Sequence, residues 1–74
     1  MIKIRDIQRF EYLIELWVEA DDPNRSYFMA FNYKQDKCLC SREGTSAEDN
    51  EKIMRHLIGY IERNEPLPKS ATIS

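Results

Sequence analysis

Only two glycines, three prolines, two cysteines and one histidine occur in this 74-residue sequence, and each scarcity closes off a class of protein. So few Gly and Pro residues exclude collagenous or low-complexity chains. Cys38 and Cys40, one residue apart, are too few and too close to staple a small secreted scaffold. They suit a reducing environment, so the expected location is cytoplasmic. A tetrahedral metal site needs four ligands, and the two cysteines with His56 do not supply them, so no metal and no cofactor is expected. No apolar run approaches the roughly 20 residues that a membrane helix requires. The N-terminal residues Met1-Ile2-Lys3-Ile4-Arg5-Asp6 lack the continuous apolar segment of a signal peptide. Charge of one sign is also scarce: the formal net charge is -2, which provides no basic field for phosphate and disfavours direct nucleic-acid binding.

What is present is a folding composition, with 42% hydrophobic and 32% charged residues. The length fits one domain, residues 1–74. A domain this small buries only about 60% of the surface of its unfolded chain. Self-association or a partner is therefore an expected source of stability, and a homo-oligomer is anticipated.

Hydrophobic periodicity organises the chain. From Phe10 to Glu19, Phe10, Tyr12, Ile14, Leu16 and Val18 alternate with Glu11, Leu13, Glu15, Trp17 and Glu19, which predicts a strand with two distinct faces. A helical reading would stack Glu11, Glu15 and Glu19 in one repelling stripe. Residues 1–7, where Ile2 and Ile4 alternate with Lys3 and Arg5, suit a further short strand or an extended lead-in. The turn formers Asp21-Asp22-Pro23-Asn24 end the long strand. Tyr27 to Tyr33 alternates again, and after a polar break at Lys34-Gln35-Asp36-Lys37 a third short strand covers Cys38 to Ser41. Gly44-Thr45-Ser46 changes the period. Thr45 or Ser46 can cap a helix with Glu48 and Asp49 in its first turn. Ile53, Met54, Leu57, Tyr60 and Ile61 then form the buried stripe of a helix ending near Arg63. Pro66 and Pro68 hold residues 64–74 as an extended tail. The expected class is α+β: a three- to four-stranded antiparallel sheet packed by one main C-terminal helix.

The segment from Gly44 onward resembles the antitoxin half of the HicA/HicB toxin-antitoxin systems. A capped opening, Gly44, Ser46, Glu48 and Asp49, leads into a helix that closes with Glu65-Pro66-Leu67-Pro68. With the strand meander before it, the resemblance spans roughly residues 10–70. It implies a partial RNase H-like core and, as partner, a small basic ribonuclease toxin of the HicA kind. The chain departs from the pattern at Lys34-Gln35-Asp36-Lys37-Cys38, which replaces a Pro-Gly-Cys-like turn. It departs again at Asn50, where the family often has Ala, and at Gly59 inside the helix.

Catalysis is not expected. Asp21 and Asp22 beside Pro23 read as turn chemistry, and no oxyanion turn accompanies a Cys–His pair. The candidate partner-binding residues are Trp17, Leu13 and Phe28, with Glu11, Glu15 and Glu19 as an acidic rim, all on the face opposite the helix. That face reads equally as a half-buried sheet surface or a self-association surface, and the long first strand could pair with its copy in a dimer. The alternative to an antitoxin is a phage or mobile-element protein that inhibits another host factor through the same face.

Overall fold

A computed structural model describes residues 1–35 and 37–74. Among the described residues, five strands and one long helix occur in the order β1 (Ile2–Arg9), β2 (Leu13–Glu19), β3 (Tyr27–Asn32), β4 (Lys37–Cys40), α1 (Ala47–Glu62) and β5 (Ser70–Ile73). The strands form one antiparallel sheet in the spatial order β4-β3-β2-β1-β5. The class is the α+β arrangement expected, with a strand added at the β1 edge. There the chain past Pro68 does not end as a plain tail: Ile2 lies opposite Ile73 and Ile4 opposite Ala71.

Three hairpins and one crossover build the sheet. In the connection from β2 to β3, Asp22 caps a short 3-10 turn at Pro23–Arg25 by accepting from the Asn24 N–H at 3.0 Å, as its turn chemistry predicts. Between β3 and β4 the Asn32 side chain accepts from the N–H groups of Lys34 and Gln35. Asp36, part of the polar break, lies outside the described residues. Gly44, with φ of 75°, turns the chain from β4 toward the helix, a conformation that costs a residue with a Cβ.

Strand β1 contains a bulge. Pairing runs Arg5 with Trp17 and then Gln8 with Glu15, so β1 spends one residue more than β2. Asp6 takes the extra place at φ of 52°, a left-handed conformation that Asp tolerates better than most residues. The physical gain is that Ile7, which strict alternation would send outward, joins Ile2 and Ile4 on the helix side and is buried.

Helix α1 begins where Ser46 accepts from the Asp49 N–H at 3.2 Å. It ends in a Schellman motif: Asn64 sits at φ of 56°, its N–H bonds the Ile61 carbonyl, and the Glu65 N–H bonds that of Tyr60. Ile53, Met54 and Leu57 pack on Ile4, Ile14, Leu16, Val18, Met29 and Phe31 to form the core. Tyr60 and Ile61 are only half-buried, at the end of the stripe. Leu67, beyond the helix, packs against the same core, and the Ile7 N–H bonds the Lys69 carbonyl. These contacts guide the crossover from the β4 edge to the opposite edge. Among the described residues no helix is long and apolar enough to cross a membrane.

Candidate protein-binding face

Because side chains alternate along a strand, a sheet covered by a helix on one side presents a second set of residues on the other. Cross-strand register assigns them in rows. One row runs Ser70, Arg5, Trp17 and Phe28, with Ser41 bonded beyond it. The next runs Gln8, Glu15, Ala30 and Leu39, and a third runs Leu13, Asn32 and Lys37. Lys3 lies between Glu19 and Thr72. Among the described residues no second helix covers this face. It exposes Leu39 by 79%, Leu13 by 40% and Trp17 by 37%, apolar side chains that water solvates at a cost.

Trp17 is held from both sides. Its ring meets Phe28 edge-on, with centroids 5.7 Å apart, and the Arg5 guanidinium lies 5.5 Å from the ring centroid. Arg5 Nε in turn reaches Glu19 Oε1 at 2.9 Å, and a second guanidinium nitrogen contacts Asp6. The ladder of Asp6, Glu19, Arg5, Trp17 and Phe28 thus crosses three strands and fixes the orientation of the indole.

Five of the six predicted residues, Leu13, Glu15, Trp17, Glu19 and Phe28, share this face. Glu11 does not. The chain turns at residues 10–12, where the Phe10 N–H bonds the Leu13 carbonyl at 2.7 Å, so β2 starts at Leu13 rather than Phe10. Glu11 contributes its main-chain carbonyl, which accepts from the Tyr33 hydroxyl. Tyr12, expected under the helix, and Phe10 are about half exposed at this turn. There Lys34 lies over the Tyr12 ring and Arg9 over that of Tyr33. The acidic rim is accordingly smaller than anticipated. Glu19 is paired with Arg5, and Glu15 is a half-buried carboxylate without an ion pair among the described residues.

Sequence reasoning missed Lys3, Arg5, Gln8, Lys37 and Leu39 on this face. The signal for Lys3 and Arg5 was present, since a strand whose Ile residues face the core must present its cations on the other side. The long strand proposed as a dimerising edge is interior, hydrogen-bonded to β1 and β3, so its backbone cannot pair with a copy.

On the helix side, the Asn50 side chain is buried and accepts from the Tyr27 hydroxyl at 2.6 Å. It donates to Thr45 Oγ1 at 3.0 Å and contacts Cys40 Sγ at 3.6 Å. Burial, reinforced by the negative potential of Cys40, Asp49 and Cys38, pushes the Tyr27 hydroxyl from 10.0 up to about 12. This network ties the first turn of α1 to β3 and β4, a structural task that gives Cys40 a place in the fold. His56 packs edge-on against Tyr60 with centroids 5.5 Å apart, far along the helix from either cysteine in sequence. A cleft of about 380 Å³ near the helix start includes Glu19, Asp21, Asp22, Arg25, Tyr27 and Asp49 in its lining. It lies at the end of the sheet. No protein-family model, curated protein or solved structure matches this chain.

Proposed function

We propose that this chain is a small cytoplasmic binding protein that works as a HicB-like antitoxin, using the uncovered face of its sheet to neutralise a small basic ribonuclease of the HicA kind. The observation that carries the binding part of this reading is Trp17, a large aromatic side chain left partly exposed yet rigidly oriented by Arg5 and Phe28. Aromatic anchors that lose little freedom on binding are the usual centres of protein interfaces. The ribonuclease part rests on the resemblance carried by Gly44 to Asp49 and Glu65 to Pro68.

Inhibition on this reading is steric. The face is laid across the toxin's RNA-binding surface, with Trp17, Leu13 and Phe28 desolvated at the centre. Electrostatics assist in two ways: the net charge of -2 favours encounter with a basic partner, and Glu15 offers a carboxylate for a partner cation. Glu19 contributes only if a partner cation shares or displaces Arg5. Arg5 therefore makes the face selective, because a partner must match a cation beside the indole as well as the carboxylates around it.

The test is co-purification of the tagged chain from its native cells at moderate salt, separation of the bound proteins and assay of each for ribonuclease. The expected result is a small basic protein whose ribonuclease activity disappears when the purified chain is added back. A captured protein with no such activity excludes the antitoxin reading and favours an inhibitor of another host factor.

A further inference from the structure

Among the acidic side chains of the described residues only Glu15 and Asp49 are half-buried; the others are exposed. Asp49 lies in the first turn of α1, where the positive end of the helix dipole favours a carboxylate. Glu15 has no such compensation. It lies mid-sheet on the open face, opposite Gln8 of β1 and Ala30 of β3, with Leu13 and Trp17 two residues away on its own strand. Its carboxylate makes no ion pair or side-chain hydrogen bond with any described residue. The nearest cation by register is Arg5, opposite Trp17 in the adjoining row, and it is committed to Glu19 at 2.9 Å and to Asp6. A charge partly removed from water and left without a partner costs stability, so the fold by itself gives no reason for a carboxylate here.

We propose that Glu15 is the receptor for an arginine of the partner, whose guanidinium pairs with this carboxylate in the middle of the open face. This role rests on the reading of that face as a binding surface and specifies the side chain that the face receives. Arginine suits the place better than lysine. A guanidinium is more weakly hydrated than an ammonium, so it loses water at lower cost among Leu13, Trp17 and Ala30, and its planar fork matches both carboxylate oxygens. Arg5 does not oppose its entry, because Glu19 and Asp6 offset the Arg5 charge. Docking then supplies the partner that Glu15 lacks in the free chain. The pair forms as water leaves the face, where a charge-assisted bond is strongest. The carboxylate is thus a cost to the free protein and a gain to the complex, the pattern of a residue kept for binding.

Hexa-arginine and hexalysine serve as probes, titrated calorimetrically into wild-type chain, Glu15→Gln and Glu62→Gln while the emission of Trp17, the sole tryptophan, is followed. Glu62 is exposed at the end of α1 and makes no ion pair among the described residues, so its variant removes the same charge away from the open face. Hexa-arginine is expected to bind wild type more tightly than hexalysine does and to shift the Trp17 emission. Glu15→Gln should weaken hexa-arginine about tenfold, and Glu62→Gln by less than about twofold. In urea, Glu15→Gln should unfold at a higher concentration than wild type, because the amide removes an unpaired charge. Absence of hexa-arginine binding, equal losses in the two variants, equal affinity for hexalysine, or a Glu15→Gln midpoint no higher than wild type each overturns the proposal. None of these measurements involves a ribonuclease, so they fail or succeed separately from the capture experiment that tests the antitoxin reading.

Discussion

The Tyr27 hydroxyl donates to Asn50 Oδ1 at 2.6 Å, and neither residue is exposed. This bond joins the aromatic-rich strand β3 to the first turn of α1 across 23 positions of sequence. Tyr27→Phe removes the donor and leaves a buried acceptor unsatisfied, which costs about 1 to 3 kcal/mol. Asn50→Ala removes both ends of the network and opens a small cavity. Urea unfolding should show both variants destabilised. A Tyr27→Phe protein as stable as wild type would mean that the bond carries no net weight.

Burial of the same hydroxyl, reinforced by the negative potential of Cys40, Asp49 and Cys38, makes an alkaline signature. The Tyr27 hydroxyl ionises at about 12 in the fold against 10.0 for the unperturbed group, so the native state holds a proton that the unfolded chain releases. The associated stability is complete below pH 10 and is lost as the pH rises from 10 through 12, at up to about 1.4 kcal/mol per pH unit. Tyr27→Phe lacks this term. The difference in unfolding free energy between the two proteins should therefore shrink across this window, and a constant difference would contradict the assignment.

The two glycines should respond in opposite directions to alanine. At Gly59 a Cβ would meet the Arg63 guanidinium at 2.9 Å, the far end of a flexible side chain that can move aside. The helix then gains about 0.5 to 1 kcal/mol from the better propensity of Ala. At Gly44 there is space, but φ of 75° strains any side chain, and Gly44→Ala should cost about 1 kcal/mol. Thermal unfolding of the pair checks both signs.

Arg5 should matter more to the indole than to stability. Its ion pair with Glu19 is nearly half exposed at both ends and is worth under about 1 kcal/mol. Arg5→Ala nevertheless uncovers one side of Trp17, the sole tryptophan. Its fluorescence emission should shift to the red and become more accessible to a soluble quencher, while the unfolding midpoint moves little. An unchanged spectrum would mean that the guanidinium does not cover the ring.

Much of this arrangement could be read from residue order. The alternation in β2 and β3, the Ser46 cap followed by Glu48 and Asp49, and the stripe through Leu57 are local signals that the packing preserves. Errors arose where local pattern and chain geometry part. Phe10 and Tyr12 continue the alternation of β2 by accident, so a tight connection was absorbed into the strand and Glu11 with it. The bulge at Asp6 had a visible trace, the spacing of Ile2, Ile4 and Ile7, but a break in alternation also looks like a strand end. Ser70 to Ile73 lacks the length and strong alternation of β2, and only its pairing with β1 makes it a strand. On the candidate face, Trp17, Phe28, Leu13 and two of the glutamates were legible from period alone. The pairing of Arg5 with Glu19 was not, because it depends on the bulged register of β1.

The claim that the uncovered sheet face is the inhibitory surface is tested most directly by titrating the partner ribonuclease with wild-type chain and with Trp17→Ala, after circular dichroism shows the variant folded. The account predicts that Trp17→Ala inhibits about 30-fold more weakly, the equivalent of about 2 kcal/mol for an interface centre. Equal inhibition by the folded variant would contradict it and place the binding surface elsewhere on the molecule.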